Sequence, residues 1–339
     1  RYRRELGKSA TVGGIVTSRT GPDYSNTVAS ADSFFRLTEQ DSLRVQFAGS
    51  RAEYPSILTG DTQSGHAFRA RYSHNDRDWS WSSTYAEYSP EFRADAGLID
   101  QVGVRAASAF AQRRIRGGPK TWFSNLYFFA GVDGTREFDG AWNEWGADVT
   151  ATYEGPHQSV VDINFFAPNQ EFFDGRVYHN TRHSISPSIQ ATRDINLGFF
   201  TQFGETIDFN NSRPADFVTL EPSANVNIGR RIHGELVWTH QTLRTEDGDR
   251  IFTVDLPQAR MLYHFSRRAF VRAILQYRDL DRVTTSSRSL LSQLLFSYRL
   301  NAQTVLLAGY SDNYAGSRQI DLTRTDRTVF FKVGYAWLF

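Results

Sequence analysis

Three residues near the middle of the chain, His179, His183 and Ser184, have types and spacing that could support hydrolysis. A histidine beside a serine can act as the general base that activates the hydroxyl as a nucleophile. No nucleophile motif surrounds these residues, and the polar rim of a sheet accounts for them better. We therefore favour ordinary polar side chains and expect that the protein is not an enzyme.

Carboxylates that could bind a metal ion occur in two short segments, residues 246–249 and 311–313. Neither segment follows the ligand spacing of a calcium-binding loop, and both are typical of turns. The chain contains no cysteine, which excludes disulfides, thiolate metal sites and a cysteine nucleophile. We expect neither a metal ion nor a cofactor.

The composition combines many aromatic residues with a polar average. Aromatic residues make up 14% of the 339 residues, yet the mean hydropathy is negative. No stretch approaches the roughly 20 apolar residues that a membrane-spanning helix needs. The formal charge of +1 provides no basic surface for nucleic acid, so we do not expect a nucleic-acid partner.

Apolar and polar residues alternate strictly along most of the chain. In residues 218–228, for example, Val218, Leu220 and Val226 alternate with polar residues such as Glu221 and Asn225. A period of two places successive side chains on opposite faces of a β-strand. Similar segments recur at 195–208, 271–278 and 290–299. The pattern predicts an all-β protein whose strands each have one apolar and one polar face.

Two architectures share this pattern, a large soluble β-sandwich and a transmembrane barrel. Many segments reach 10 or more residues, which favours strands that cross a bilayer. Short turns also alternate with longer loops, as in outer-membrane barrels. We predict a single domain over residues 1–339, an antiparallel up-and-down transmembrane barrel of about 18 strands that begin near residue 9. The predicted long loops are 54–63, 89–100, 132–140, 167–182 and 313–325.

The two ends of the chain carry further signals. Residues 2–6 look like an earlier strand followed by a turn at 7–9, so we expect the natural chain to start upstream and the barrel to be larger. At the other end, alternating apolar residues lead to a terminal phenylalanine. This resembles the signal that barrel-assembly machinery recognises, and the residues that match are Val333, Tyr335, Trp337 and Phe339.

Several segments resemble the C-terminal barrels of a bacterial family whose members carry an N-terminal domain similar to family-nine carbohydrate-binding modules. The similar segments are residues 4–13, 89–98 and 270–277. The resemblance concerns the barrel part alone, so it implies no sugar binding, and the family offers no catalytic residues to transfer. It implies a location in the bacterial outer membrane. The expected partners are outer-membrane lipid, lipopolysaccharide, the barrel-assembly machinery and a periplasmic or surface protein.

Two functions fit such a barrel. We expect a porin-like passive channel for small polar solutes; the alternative is a plugged barrel that serves as a structural anchor or receptor for a periplasmic or surface partner. We predict that Val271, Leu275, Leu294, Phe296, Val333 and Tyr335 face lipid.

The predicted inward-facing charges are basic at both ends of the chain and acidic in its middle. Closure of a barrel would then set a basic arc opposite an acidic one, and the resulting transverse field would orient dipolar solutes. The predicted basic lumen residues are Arg36, Arg44, Arg69, Arg71, Arg105, Arg260, Arg272, Arg278, Arg299 and Lys332. The predicted acidic lumen residues are Glu144, Asp148, Glu154, Asp162, Asp208, Glu221 and Glu235.

Overall fold

The computed structural model describes residues 1–55, 57, 61–301 and 303–336. These residues form 19 strands and one short 3-10 helix at Pro156–Gln158. The strands are β1 Tyr2–Leu6, β2 Ala10–Gly21, β3 Tyr24–Arg36, β4 Asp41–Glu53, β5 Thr62–Asn75, β6 Trp79–Tyr88, β7 Val104–Arg116, β8 Asn125–Glu137, β9 Trp142–Gly155, β10 Ser159–Phe173, β11 Arg176–Thr192, β12 Ile195–Asp208, β13 Arg213–Ile228, β14 Ile232–Thr245, β15 Arg250–His264, β16 Ala269–Arg282, β17 Ser286–Arg299, β18 Thr304–Gly316 and β19 Thr323–Tyr335. The predicted 18 strands correspond to β2–β19, and the predicted earlier strand is β1.

Contacts between residues divide the chain into two compact units. Unit 1 comprises residues 1–116, 126–151 and 165–181, and unit 2 comprises residues 117–125, 152–164 and 182–339. In unit 1, β1 to β7 pair with one another in chain order, each with its neighbour and antiparallel. In unit 2, β12 to β19 pair in the same way, and the end of β11 pairs with β12. Each unit is thus an up-and-down meander.

Short turns between the strands are stabilised by side chains that replace missing backbone partners. Asp76 Oδ1 accepts the N–H groups of Asp78 and Trp79 at 2.7 and 2.6 Å. These two backbone hydrogen bonds lower the pKa of Asp76, because they favour the charged carboxylate. Asn301 Oδ1 accepts the N–H groups of Gln303 and Thr304 in the same manner. Asp and Asn are common in turns for this reason.

Two of the predicted long loops are wrong. Residues 167–182 are mostly strand, since β10 continues to Phe173 and β11 begins at Arg176. The turn between them is Asp174 and Gly175, both with positive φ, as a two-residue hairpin requires. Residues 132–140 likewise belong mostly to β8, which ends at Glu137. The polar ends of these strands resemble loops in sequence, although the Asp-Gly pair at 174–175 is a strong hairpin signal.

Each meander has a polar face and an apolar face, defined by the cross-strand pairs. In unit 1, Gln46 and Arg69 pair on the polar face, and Phe47 and Phe68 pair on the apolar face. In unit 2, Glu235 pairs with Arg260 on the polar face, and Leu236 pairs with Ala259 on the apolar face. Large apolar side chains remain exposed on the apolar faces, for example Phe47 at 52% and Leu275 at 51%. Within the described residues, no helix is both long and apolar enough to cross a membrane.

Candidate functional site

The connection between β6 and β7, residues 89–103, lies on the polar face of unit 1. Phe92 is 4% exposed and packs against Ala48 and Ala67, the small residues of the polar face of β4 and β5. Gly65 leaves the space for the loop backbone, because a Cβ atom at this position would lie 2.3 Å from the nitrogen of Phe92. The wall beneath the loop is therefore built from residues with small or absent side chains.

Buried polar side chains of the strands bind the backbone of this loop. The amide of Asn26, which is 1% exposed, donates to the carbonyl of Arg93 at 3.0 Å and accepts the N–H of Asp95 at 3.1 Å. Ser50 Oγ accepts the N–H of Arg93 at 3.0 Å. Backbone groups of a buried loop need such partners, since an unpaired buried group destabilises the fold. The loop is thus held in one position on the strands.

The carboxylate of Asp95 completes this attachment. It accepts hydrogen bonds from the hydroxyl groups of Tyr24 at 2.6 Å and Tyr54 at 2.9 Å. Burial of Tyr54 and the neighbouring carboxylate raise the pKa of its phenol to about 12, because both disfavour a second negative charge. Tyr54 follows directly after β4, so this contact ties two connections of unit 1 together.

Arginines occupy the same face next to the loop, farther along β4 and β5 toward the short turns that join β3 to β4 and β5 to β6. Arg44 lies directly opposite Arg71, and Arg69 lies opposite Gln46. Arg36 is on this face at the end of β3, opposite Ser42. The predicted arrangement of Arg36, Arg44, Arg69 and Arg71 on one face is confirmed by this register. That they line a water-filled lumen stays a prediction.

The prediction for Arg105 is wrong. Arg105 pairs with Glu87, which lies on the apolar face of β6 opposite Phe68. Its guanidinium lies 4.3 Å from the centre of the Phe138 ring. Arg105 is the second residue of β7 and follows the loop, so its face is decided by pairing with β6 and not by an alternation that the loop interrupts.

Of the two acidic residues predicted in unit 1, Asp148 lies on the polar face. Phe129 of β8 stacks on Phe110 of β7, which is on that face, and Gly131 follows Phe129 by two residues. A Cβ atom on Gly131 would lie 2.6 Å from Asp148 Oδ1, so the carboxylate covers this glycine. Glu144 is exposed near the start of β9.

In unit 2, the predicted charged residues share one face. The register aligns Glu235 with Arg260, and Arg272 and Arg278 follow on the same side of β16. The polar-face residues confirmed to share this side are Glu221, Glu235, Arg260, Arg272, Arg278, Arg299 and Lys332. Glu235 and Arg260, the last acidic and the first late basic residue of the predicted sets, form an ion pair at 3.2 Å where the two sets meet. That the basic and acidic sets face each other across a lumen stays a prediction.

The other acidic residues of unit 2 are bound to nearby side chains. Glu154 accepts a hydrogen bond from Asn125, and Asp162 accepts one from Thr152. Asp208 is 2% exposed and is bound by Asn211 and Arg213 at 2.7 and 3.0 Å. It holds the turn between β12 and β13 and lies on the polar side of β12, opposite Arg213; that it lines a lumen stays a prediction.

The predicted apolar residues lie on the opposite face from these charges. Val271 pairs with Phe296, and Val333 pairs with Leu306. Leu275, Leu294 and Tyr335 each lie an even number of residues from one of these on the same strand. The predicted set is therefore confirmed to share the apolar face. Of the predicted assembly signal, Val333 and Tyr335 belong to β19. Trp337 and Phe339 lie outside the described residues.

His183 and Ser184 of β11 lie on opposite faces of the strand and cannot act together. Ser184 pairs with Gln202 on the polar face, whereas His183 pairs with Phe203 on the apolar face. Adjacent residues of a strand point to opposite sides. Ser184 Oγ accepts a hydrogen bond from Asn164 at 3.0 Å instead. The arrangement therefore contains no dyad at this position.

Two parts of the site were missed from the sequence, the docked loop and Arg3 of β1. Arg3 pairs with Gly13, which pairs with Asp32, so this arginine joins the polar face of β3 and β4. One signal for the loop was available. Ala48, Ser50, Gly65 and Ala67 are small residues on one face, which indicates that another segment covers them.

No protein-family model matches the chain, and no curated protein matches it. Among solved structures, it is similar to a ferric enterobactin receptor mutant from Pseudomonas aeruginosa, with 9% identity, 91% of this chain and 70% of that chain covered, and a TM-score of 0.50. It is also similar to the siderophore receptor PirA from Acinetobacter baumannii, with 9% identity, 97% and 69% covered, and a TM-score of 0.53. At this identity the likeness concerns the fold alone. The chain is an all-β, antiparallel transmembrane barrel protein of the bacterial outer membrane.

Proposed function

We propose that this outer-membrane barrel is a porin-like passive channel for small polar solutes. The observation that carries the proposal is that the arginines of unit 1 remain reachable beside the docked loop. Arg44 and Arg69 are exposed, although Phe92 of the loop is buried nearby against Ala67. In a transmembrane barrel, the polar face points away from lipid, because a charge in hydrocarbon is unfavourable by roughly 2 to 4 kcal/mol.

The docked loop supports this function because it covers only part of the face. It lies on the small residues of β4 and β5, and the arginines begin one pair farther along, at Gln46 and Arg69. A cavity of about 200 Å³ separates Phe92 and Ile99 of the loop from the wall at Arg69. A loop that narrows a passage without filling it would slow large solutes and admit small ones.

A plugged barrel that anchors or receives a partner is the competing role. Two of the similar solved structures are named as receptors, which concerns those proteins. For this chain the two roles differ in one measurable property, the passage of ions. A plugged barrel would insert into a bilayer and show no stepwise conductance.

Conductance in a planar bilayer therefore tests the proposal. The protein is refolded in detergent, its folded state is verified by gel migration before and after heating, and it is added to the bilayer. We expect discrete conductance steps. Their absence for protein that is shown to be folded and inserted would reject the channel and favour the anchor or receptor.

A second measurement tests whether the polar face of unit 2 borders the ion path. We expect that replacing Arg272, Arg278 and Arg299 together with Gln shifts the reversal potential under a salt gradient toward cation selectivity. Arg51→Gln is the control, since Arg51 is on the apolar face of β4 and its pair with Glu53 is exposed. An unchanged potential in a conducting triple variant would remove these side chains from the path.

We further propose the contacts that this protein makes in the outer membrane and during its assembly. The exposed apolar side chains, such as Phe331 at 70%, support contact with outer-membrane lipid and lipopolysaccharide. The alternating end of β19 supports recognition by the barrel-assembly machinery, and a periplasmic or surface protein stays a proposed partner. We propose no catalytic activity. Kinship with the barrels that follow family-nine-like carbohydrate-binding modules also stays a proposal, and the gene's upstream coding sequence tests it.

A further inference from the structure

A cavity of about 510 Å³ opens on the polar face of unit 1, beside the arginines. Guanidinium groups from three strands border it, those of Arg3 on β1, Arg44 on β4, and Arg69 and Arg71 on β5. Asp32 of β3 borders it as well. All of these residues belong to unit 1.

The register forces like charges together. Arg44 and Arg71 are directly opposite one another, a position in which Cβ atoms are about 4.5 to 5.5 Å apart. Like charges in this position repel and destabilise a sheet. An anion between the two guanidinium groups would offset this repulsion.

Negative charge from the protein does not neutralise the cluster. On the polar face of β3 to β7, all of which the structure describes, Asp32 is the one carboxylate. On β1, Glu5 lies two residues from Arg3 and therefore on the same side of the sheet. The residues that border the cavity include four arginines and one carboxylate, that of Asp32, and so carry a formal charge of +3.

The hydrogen-bonding groups of the cluster are also incompletely used. Among the described residues, Arg3, Arg44, Arg69 and Arg71 form no ion pair with an acidic side chain. The Nε atom of Arg71 is buried and has no hydrogen-bond partner. A buried N–H without a partner is unfavourable, and an oxyanion is the acceptor that a guanidinium fits best.

Two contacts describe how side chains that border the cavity are placed. The guanidinium of Arg44 lies 5.4 Å from the centre of the Phe34 ring, which orients it by a cation–π contact. The carboxylate of Asp32 covers Gly13, since a Cβ atom there would lie 3.0 Å from its Oδ1. Asp32 therefore lies against β2, and within the part of the chain that the structure describes it forms no ion pair with the four arginines.

We propose that this cavity is a binding site for a small dianionic oxyanion of the phosphate type, either free phosphate or the phosphate group of a small solute. The net positive charge of the residues that border the cavity attracts a dianion, and planar guanidinium groups bind phosphate oxygens in pairs. The inference deepens the proposed function and rests on it in one respect, that solutes reach the polar face. It gives the channel a preferred class of solute.

Equilibrium binding tests the site independently of conductance. Purified, folded protein in detergent is titrated with inorganic phosphate and, separately, with glycerol phosphate, and heat of binding is measured. We expect saturable binding of one or both, weaker binding of acetate, and loss of affinity as salt is added. Binding of inorganic phosphate alone would identify the free ion, and tighter binding of glycerol phosphate would identify a phosphorylated solute.

Three variants locate the binding. We expect Arg69→Gln with Arg71→Gln to weaken phosphate binding by about tenfold or more, and Arg278→Gln, on the polar face of unit 2, to leave it unchanged. Asp32→Asn should strengthen binding several-fold because it removes a negative charge from the wall, and a misfolded variant could not produce this gain. Absence of saturable binding, or equal affinity in all variants, would overturn the site. Saturable binding in a protein that does not conduct would keep the site and reject the channel.

Discussion

The backbone of Phe92 lies directly on Gly65, with no room for a Cβ atom between them. Phe92 belongs to the loop after β6, and Gly65 belongs to the wall of β5. The loop can lie this close to the strand because residue 65 has no side chain, and the buried contacts of Phe92 with Ala48 and Ala67 depend on this approach. The position of the loop is therefore sensitive to a single methyl group.

We expect Gly65→Ala to displace the loop from the polar face. The added Cβ atom would lie 2.3 Å from the nitrogen of Phe92, and backbone cannot yield as a flexible side chain can. Overpacking of this kind destabilises by about 1 to 3 kcal/mol. The measurement is the rate of protease cleavage within residues 89–103, which should rise, together with larger conductance steps.

Gly49→Ala is the matched control for this change. Gly49 is on the apolar face of β4, and nothing lies within 4 Å of a Cβ atom placed there. Its cleavage rate and conductance should equal those of the unaltered protein. If both alanine variants behaved alike, the contact between Gly65 and Phe92 would have no role in positioning the loop.

A pH dependence should follow from Tyr54. Its phenol donates to Asp95, and its pKa is raised to about 12, whereas an unfolded tyrosine titrates near about 10. Because the folded pKa is the higher one, the stabilisation is complete below about pH 10 and is lost as the pH rises through about 12. The anisotropy of a fluorophore on Asp100→Cys, unique in a chain without cysteine, should fall across this range.

The Tyr54→Phe variant separates this effect from general alkaline unfolding. Its loop should already be more mobile at neutral pH, and the fall in anisotropy between about pH 10 and 12 should be smaller. Tyr2→Phe serves as the control, since Tyr2 is 69% exposed. An anisotropy curve that is identical in all three proteins would count against the hydrogen bond as a latch.

Neighbouring residues of β16 should differ sharply in their surroundings. Leu275 pairs with Ser292 and is 51% exposed on the apolar face, whereas Gln276 pairs with Leu291 on the polar face. A nitroxide at Leu275 should therefore relax faster in the presence of oxygen, which partitions into lipid. A nitroxide at Gln276 should instead relax faster in the presence of a water-soluble reagent. Equal accessibility at both positions would refute the assignment of faces.

Loss of the charge on Asp208 should destabilise unit 2. This carboxylate is 2% exposed and accepts hydrogen bonds from Asn211 and Arg213. We expect Asp208→Asn to lower the free energy of unfolding by about 1 to 3 kcal/mol, since charge-assisted hydrogen bonds are lost. The midpoint of urea unfolding in lipid vesicles measures the change. Asp249→Asn, at an exposed turn position, should leave the midpoint where it was.

The sequence by itself determined which residues share a face within each strand. Alternation is local, because successive side chains of any strand point to opposite sides whatever the strand pairs with. Leu275 and Gln276 could be assigned without the structure for this reason. The same local reasoning predicted 18 strands and an earlier one at residues 2–6, and these are β2–β19 and β1.

Only the tertiary structure decided which faces meet and what covers them. Asn26 binds the carbonyl of Arg93, 67 residues away, and no local pattern contains that contact. The pairing of β4 with β5 set Arg44 against Arg71, and the pairing of β6 with β7 turned Arg105 to the apolar face. Strand register and loop docking depend on contacts between distant residues, so alternation alone could predict the arginine-bearing face but neither its cavity nor its loop.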